Sequence, residues 1–327
     1  MRTSRYSVLL LLLATLLSET ACTRTPYIVC ECTAVRRCTR KTHDGSPRPI
    51  IAVYLLGMDI APHEEYGTSH KIALGRYDHL PMEFDWEVKN REHESAAPFY
   101  ELAKVVDRLA QEFGLPDEKV RIYFGRGTFG NHPQRSLETK LAQYTNELGG
   151  DPFIVVVGKS FGGTDAIRAM QDLCDDKKLC GSIGNVDLLV LVDATAPTNI
   201  VGKVAFAEKL EDEDLLVYPI PPVVQRAYNA VQRVDDPPFQ GHLINGTGQE
   251  HVSNEVLEPK EFNGRYSYSG YVGEEPVPLT VKHSHMDELV FVAPVFRYGG
   301  KRINLHDLIY EEYKTNHPPF LRCPELD

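Results

Sequence analysis

Phe153-Ile154-Val155-Val156-Val157-Gly158-Lys159-Ser160-Phe161-Gly162-Gly163 decides how the rest of the chain is read. Its first five residues are apolar and mostly β-branched, which suits a strand buried on both faces. Beyond Gly163 a helical period begins at once. Ile167, Met170 and Cys174 fall at i, i+3 and i+7, with Ala166 and Leu173 beside them. A strand that turns this sharply into a helix forces the residue at the bend into a strained conformation. Gly158 and Gly162 leave room for the close approach of strand and helix. Ser160 occupies the bend, so its hydroxyl is pushed out at the tip of the sheet. The following N–H points into the same space from a helix N-terminus.

Two plainer readings compete. Lys159-Ser160 after a glycine also ends a phosphate-binding loop, but that motif needs a glycine five positions before Gly158. Phe153 stands there, inside the apolar run. The other is a serine in an ordinary glycine-rich turn of a parallel sheet; the strand-turn-helix context favours the nucleophile.

Outward from this stretch the chain alternates strands and helices. Pro49 to Gly57 is apolar throughout and predicts another fully buried strand. Phe99, Leu102, Val105, Val106, Leu109, Ala110 and Phe113 mark an amphipathic helix that ends at Gly114-Leu115-Pro116. Val120 to Phe124 predicts a short strand, and Leu137, Leu141, Tyr144 and Leu148 a second helix stopped by Gly149-Gly150. After the helix behind Ser160, Val186 to Val192 is a further buried strand closed by Asp193. The order β-α-β-α-β-α-β predicts an α/β fold: a doubly wound, mostly parallel sheet with helices on both faces. Past Pro197 the pattern weakens. Val223 to Val234 reads as strand or helix, residues 235–280 are rich in Pro, Gly and Asn, and Asn304 to Glu312 is helical.

A serine nucleophile needs a base within hydrogen-bond reach and an acid to orient that base. In an open parallel sheet such groups collect at the carboxyl ends of the strands. Asp193 lies at such an end, one strand after Ser160, and Val281-Lys282-His283-Ser284-His285-Met286-Asp287 follows late in the chain. The order Ser, Asp, His and the Gly158-Lys159-Ser160-Phe161-Gly162 elbow resemble the α/β-hydrolase superfamily from about residue 48 to the end. The likeness is greatest to poorly characterised bacterial lipase-like members and fixes no substrate.

That resemblance implies Ser160 as nucleophile, with the N–H of Phe161 and of Met58 as the oxyanion donors. A His-Gly signature at the Met58 loop is absent. His283 is the favoured base, because His283-Ser284-His285-Met286-Asp287 fits the His-x-x-Ile-Asp pattern of related enzymes; His285 is the alternative. Asp193 is the favoured acid, with Asp235 and Asp236 in reserve because many members place the acid one strand later. His-x-His-x-Asp also looks like half of a metal site, yet only His306 and His317 follow it as further ligands, and no metal is expected.

Residues 1–21 predict a signal peptide: Arg2 and Arg5 precede the apolar run Val8 to Leu17, too short to span a bilayer. The Ala21-Cys22 junction resembles a bacterial lipoprotein processing site, although Glu19 stands where an aliphatic residue is usual. Acylation of Cys22, or ordinary cleavage nearby, would place the protein outside the cytoplasm, periplasmic or on the cell envelope. Residues 22–47 form a cysteine-containing segment, and residues 48–327 a hydrolase-like domain. Setting Cys22 aside leaves Cys30, Cys32, Cys38, Cys174, Cys180 and Cys323, an even set that suits an oxidising compartment. Cys174 and Cys180 are candidates for a local disulfide; Cys30, Cys32 and Cys38 suit disulfides better than a metal knuckle, for want of a fourth ligand.

The formal charge of −11 disfavours nucleic acid as a partner. The expected activity is therefore a serine esterase or lipase-like hydrolase acting on a carboxylic ester or thioester, without a cofactor. Residues 59–97, where a lid would lie, are rich in Glu64, Glu65, His70, Lys71, Arg76 and Asp78, unlike an apolar lipase flap. The competing expectation is a non-catalytic binding or scaffold lipoprotein that keeps the elbow but not the reach of its base.

Overall fold

A computed structural model describes residues 47–57, 75–84, 97–126, 137–149, 151–175, 183–195, 208–209, 216–235, 240–246, 249–262, 266–268 and 277–316. Its strands are β1 (Ile50–Leu56), β2 (Met82–Phe84), β3 (Val120–Arg126), β4 (Phe153–Lys159), β5 (Val186–Val192), β6 (Glu208–Lys209), β7 (Leu216–Pro219), β8 (Val224–Gln232), β9 (Leu243–Asn245), β10 (His251–Leu257), β11 (Ser267–Tyr268), β12 (Val277–Pro278), β13 (Phe296–Tyr298) and β14 (Lys301–Ile303). Its α-helices are α1 (Ala97–Phe113), α2 (Leu137–Leu148), α3 (Phe161–Asp175), α4 (Pro259–Phe262), α5 (Met286–Val292) and α6 (Leu305–Thr315).

Seven strands form one sheet in the order β10-β8-β5-β4-β1-β3-β2, and every neighbouring pair in it is parallel. Every residue of β1, β4 and β5 is buried, as their largely apolar sequences require, with Asp187 in β5 and Lys159 at the end of β4 as charged exceptions. Alternate side chains go to opposite faces. Ile50, Ala52, Tyr54, Val155 and Val157 pack with Leu102, Val106 and Leu109 of α1, Leu289 of α5 and Ile309 of α6. Ile51, Val53, Ile154 and Val156 pack with Leu141 of α2 and Ile167, Met170 and Leu173 of α3. Two apolar layers with helices on both sides result, the α/β arrangement predicted from the element order.

Polar groups set the strands' starting points. Arg48 is buried ahead of β1; it donates to Asp187 Oδ1 at 2.8 Å and to the Pro152 carbonyl at 2.9 Å. Asp187 Oδ2 accepts the Ile154 N–H at 2.9 Å. One guanidinium thus joins the beginnings of β1, β4 and β5, and their carboxyl ends finish level with one another.

The sequence expectation differs from the structure at the sheet's margins. The ambiguous run Val223 to Val234 is a strand, β8, almost wholly buried. Residues 235–280, without readable periodicity, contribute the edge strand β10, which buries Glu255 and Leu257 but leaves Asn254 and Val256 exposed. The three-residue edge strand β2 lies in a stretch expected to be polar loop. No helix among the described residues is long and apolar enough to cross a membrane. The leader, Cys22, Cys180, Met58 and Asp236 lie outside the described residues.

Candidate active site

β4 runs directly into α3, and Ser160 is the single residue between them. Its φ is +53°, the left-handed region that a residue with a Cβ rarely occupies. Surrounding bonds hold it there. The Ser160 N–H donates to the Val192 carbonyl at 3.0 Å, and its own carbonyl accepts from Gly163 at 3.0 Å and Thr195 at 3.2 Å. The end of β1 crowds the bend from the other side: a Cβ at Gly57 would lie 2.4 Å from Ser160 Cβ, and one at Gly162 only 2.2 Å from the Leu55 carbonyl oxygen. Only glycine fits at either position. Phe161 opens α3, whose first-turn N–H groups point out of the helix end beside the serine.

One strand over, Asp193 follows β5, also at positive φ (+49°) and fully buried. Its N–H donates to the Ala230 carbonyl at 2.7 Å, which fastens it to β8. Four donors converge on its carboxylate. Oδ1 accepts from the N–H groups of Gly241 (2.8 Å) and Gln232 (3.2 Å). Oδ2 accepts from Gln232 Nε2 (3.1 Å) and faces His283 Nδ1 at 2.7 Å. A carboxylate so held accepts a hydrogen bond from Nδ1–H and so keeps the proton on Nδ1, leaving Nε2 of the neutral imidazole as an acceptor. Nε2 lies 2.9 Å from Ser160 Oγ.

The structure therefore brings Ser160, His283 and Asp193 into one hydrogen-bonded chain. The neighbouring acidic and basic candidates have other duties. Asp235 Oδ2 accepts the main-chain N–H of His283 at 2.7 Å, and so holds the histidine's backbone rather than its ring. Gln232 Oε1 accepts the N–H of Asp235 at 2.9 Å. One glutamine thus braces the Asp193 carboxylate and the Asp235 main chain. The His285 ring turns back on its own loop, its Nδ1 2.9 Å from Thr280 Oγ1. Asp287 Oδ2 meets Lys159 Nζ at 3.0 Å. His283, His285 and Asp287, spaced like a metal half-site, thus face three different partners. No cluster of three His, Cys, Asp or Glu groups able to hold a metal occurs among the described residues.

Sequence reasoning missed the bracing roles of Gln232, Asp235 and Gly241, and the Lys159–Asp287 pair. A trace of the pair is present: a lysine next to the elbow serine, closing an apolar strand, needs a buried anion. Cys174 lies in α3, and a bond to Cys180 falls outside the described residues.

No protein-family model, curated protein or solved structure matches the chain.

Proposed function

We propose that the chain is a serine hydrolase of the α/β-hydrolase type that cleaves a carboxylic ester or thioester through an acyl-enzyme on Ser160. The observation that carries this reading is the run of contacts from Asp193 Oδ2 to His283 Nδ1 (2.7 Å) and from His283 Nε2 to Ser160 Oγ (2.9 Å). The placement of the serine on a central strand of a parallel sheet, with the acid on the next strand, supports it further.

In the proposed reaction His283 Nε2 takes the serine proton as Oγ attacks the carbonyl carbon, and Asp193 stabilises the imidazolium. The carbonyl oxygen becomes an oxyanion beside the N-terminus of α3, where the Phe161 N–H donates to it. The Met58 N–H, one residue beyond Gly57, is the second proposed donor. The imidazolium then protonates the departing alkoxide or thiolate, and water enters by the reverse sequence. These residues need no cofactor for this chemistry. A small-molecule or lipid ester is the proposed substrate, and export with a tether at Cys22 the proposed location.

The scaffold alternative requires a base out of reach of the serine, and the 2.9 Å contact argues against it. A fluorophosphonate probe separates the two: labelling of the wild type that disappears in Ser160→Ala supports the hydrolase, and absence of labelling overturns it.

A further inference from the structure

Ser160 Oγ has a second neighbour. Thr195 Oγ1 lies 3.2 Å from it, and both residues are 2% exposed. Thr195 is only two positions beyond Asp193, so the end of β5 reaches the histidine with one side chain and the serine with the other. Thr195's main chain is fixed on both sides. Its N–H donates to the Ser160 carbonyl at 3.2 Å, and its carbonyl accepts from Thr164 Oγ1 at 2.8 Å. Tyr218 OH lies 3.4 Å behind Thr164 Oγ1. Burial pushes this phenol up to about 12, which keeps it a neutral donor.

Counting protons gives the direction of each bond. The serine hydroxyl has one proton, and while the imidazole is neutral that proton lies toward Nε2. The bond between the two hydroxyls must then run from Thr195 to Ser160. In acylation, Oγ gives up electron density to the carbonyl carbon, and a donor aimed at it restrains the attack. In deacylation the demand is reversed. Water attacks the acyl carbon and passes a proton to His283 Nε2. The carbon–Oγ bond then breaks, its electron pair moves to Oγ, and the Nε2 proton follows. A hydroxyl donating to Oγ stabilises the charge that gathers there.

We infer that Thr195 is a catalytic residue whose hydroxyl donates to Ser160 Oγ and speeds its expulsion from the acyl-enzyme, keeping its own proton throughout. This rests on the serine-hydrolase reading of the site.

The test is pre-steady-state hydrolysis of p-nitrophenyl acetate by the full chain. The nitrophenolate burst reports acylation, and decay of the acylated mass reports deacylation. Thr195→Val keeps the shape and removes the donor. It should slow deacylation by roughly five- to tenfold while acylation is unchanged or faster. Thr195→Ala should show the same split, and Thr195→Ser should stay within about twofold of the wild type. A wild type that acylates, with the same partition in Thr195→Val and Thr195→Ala, overturns this inference alone; so does an equal fall of both steps in Thr195→Val without rescue in Thr195→Ser. A wild type with no acylation and no fluorophosphonate label overturns the hydrolase reading and this inference with it.

Discussion

Lys159 Nζ lies 3.0 Å from Asp287 Oδ2, with the two side chains only 2% and 4% exposed. The lysine immediately precedes Ser160, and the aspartate sits in the first turn of α5, four residues after His283. Removing one partner of a buried ion pair strands the other charge, which costs about 3–5 kcal/mol. Lys159→Met should therefore lower unfolding stability by that order, and the double variant Lys159→Met/Asp287→Leu should recover most of it. Denaturant unfolding of the wild type, both single variants and the double variant decides; a double-variant loss equal to the sum of the single losses would mean the pair is not coupled.

The two carboxylates beside His283 should respond differently. Asp193→Asn removes the charge facing Nδ1 and permits the wrong tautomer, so kcat on a p-nitrophenyl ester should fall by about 10⁴. Asp235→Asn keeps a carbonyl oxygen for the His283 N–H and should lose only a few-fold, whereas Asp235→Ala loosens the base and should lose about 10²-fold. Asp235→Asn as damaging as Asp193→Asn would relocate the acid.

His283→Ala should abolish turnover, because its ring alone among the described residues touches both Ser160 and Asp193. His285→Ala should retain activity within about tenfold, since its ring Nδ1 meets Thr280 rather than Ser160. Steady-state kinetics with both variants would expose a reversed ranking.

Asp165, partly buried on α3, carries a separate pH signature. Burial pushes its carboxyl up to about 7, and Arg168 offsets this only in part. A folded-state value above the unfolded one favours the protonated folded protein. Its contribution to stability is therefore fully present below the unfolded value of 3.8 and is lost as pH rises through about 7. Asp165→Asn should melt higher than the wild type at pH 8, with a smaller advantage at pH 5. Thermal unfolding at both pH values checks this; an advantage independent of pH would refute it.

Much of the centre of this architecture is legible in the sequence because burial on both faces leaves an unmistakable apolar run, as in β1, β4 and β5. The order of Ser160, Asp193 and His283 is legible for a related reason, since parallel strands deliver their ends to one side. The edges are not legible. β2 spans three residues, and β10 threads His251, Ser253 and Asn254 through a strand that is half in water. Roles that depend on tertiary neighbours leave no spacing to read. Gln232 reaches back 39 positions to Asp193, and Asp235 forward 48 positions to His283.

His283 stands 123 positions after Ser160 and 90 after Asp193, in a sheet whose neighbours are joined by long crossovers. Contacts so distant in sequence form slowly, because loop closure must precede them. A chain folded only as far as β8 carries a serine and a carboxylate but no group to move the proton between them. On the proposed function, regain of turnover during refolding should therefore trail the return of helical circular dichroism, and the site is silent until the polypeptide has closed on itself.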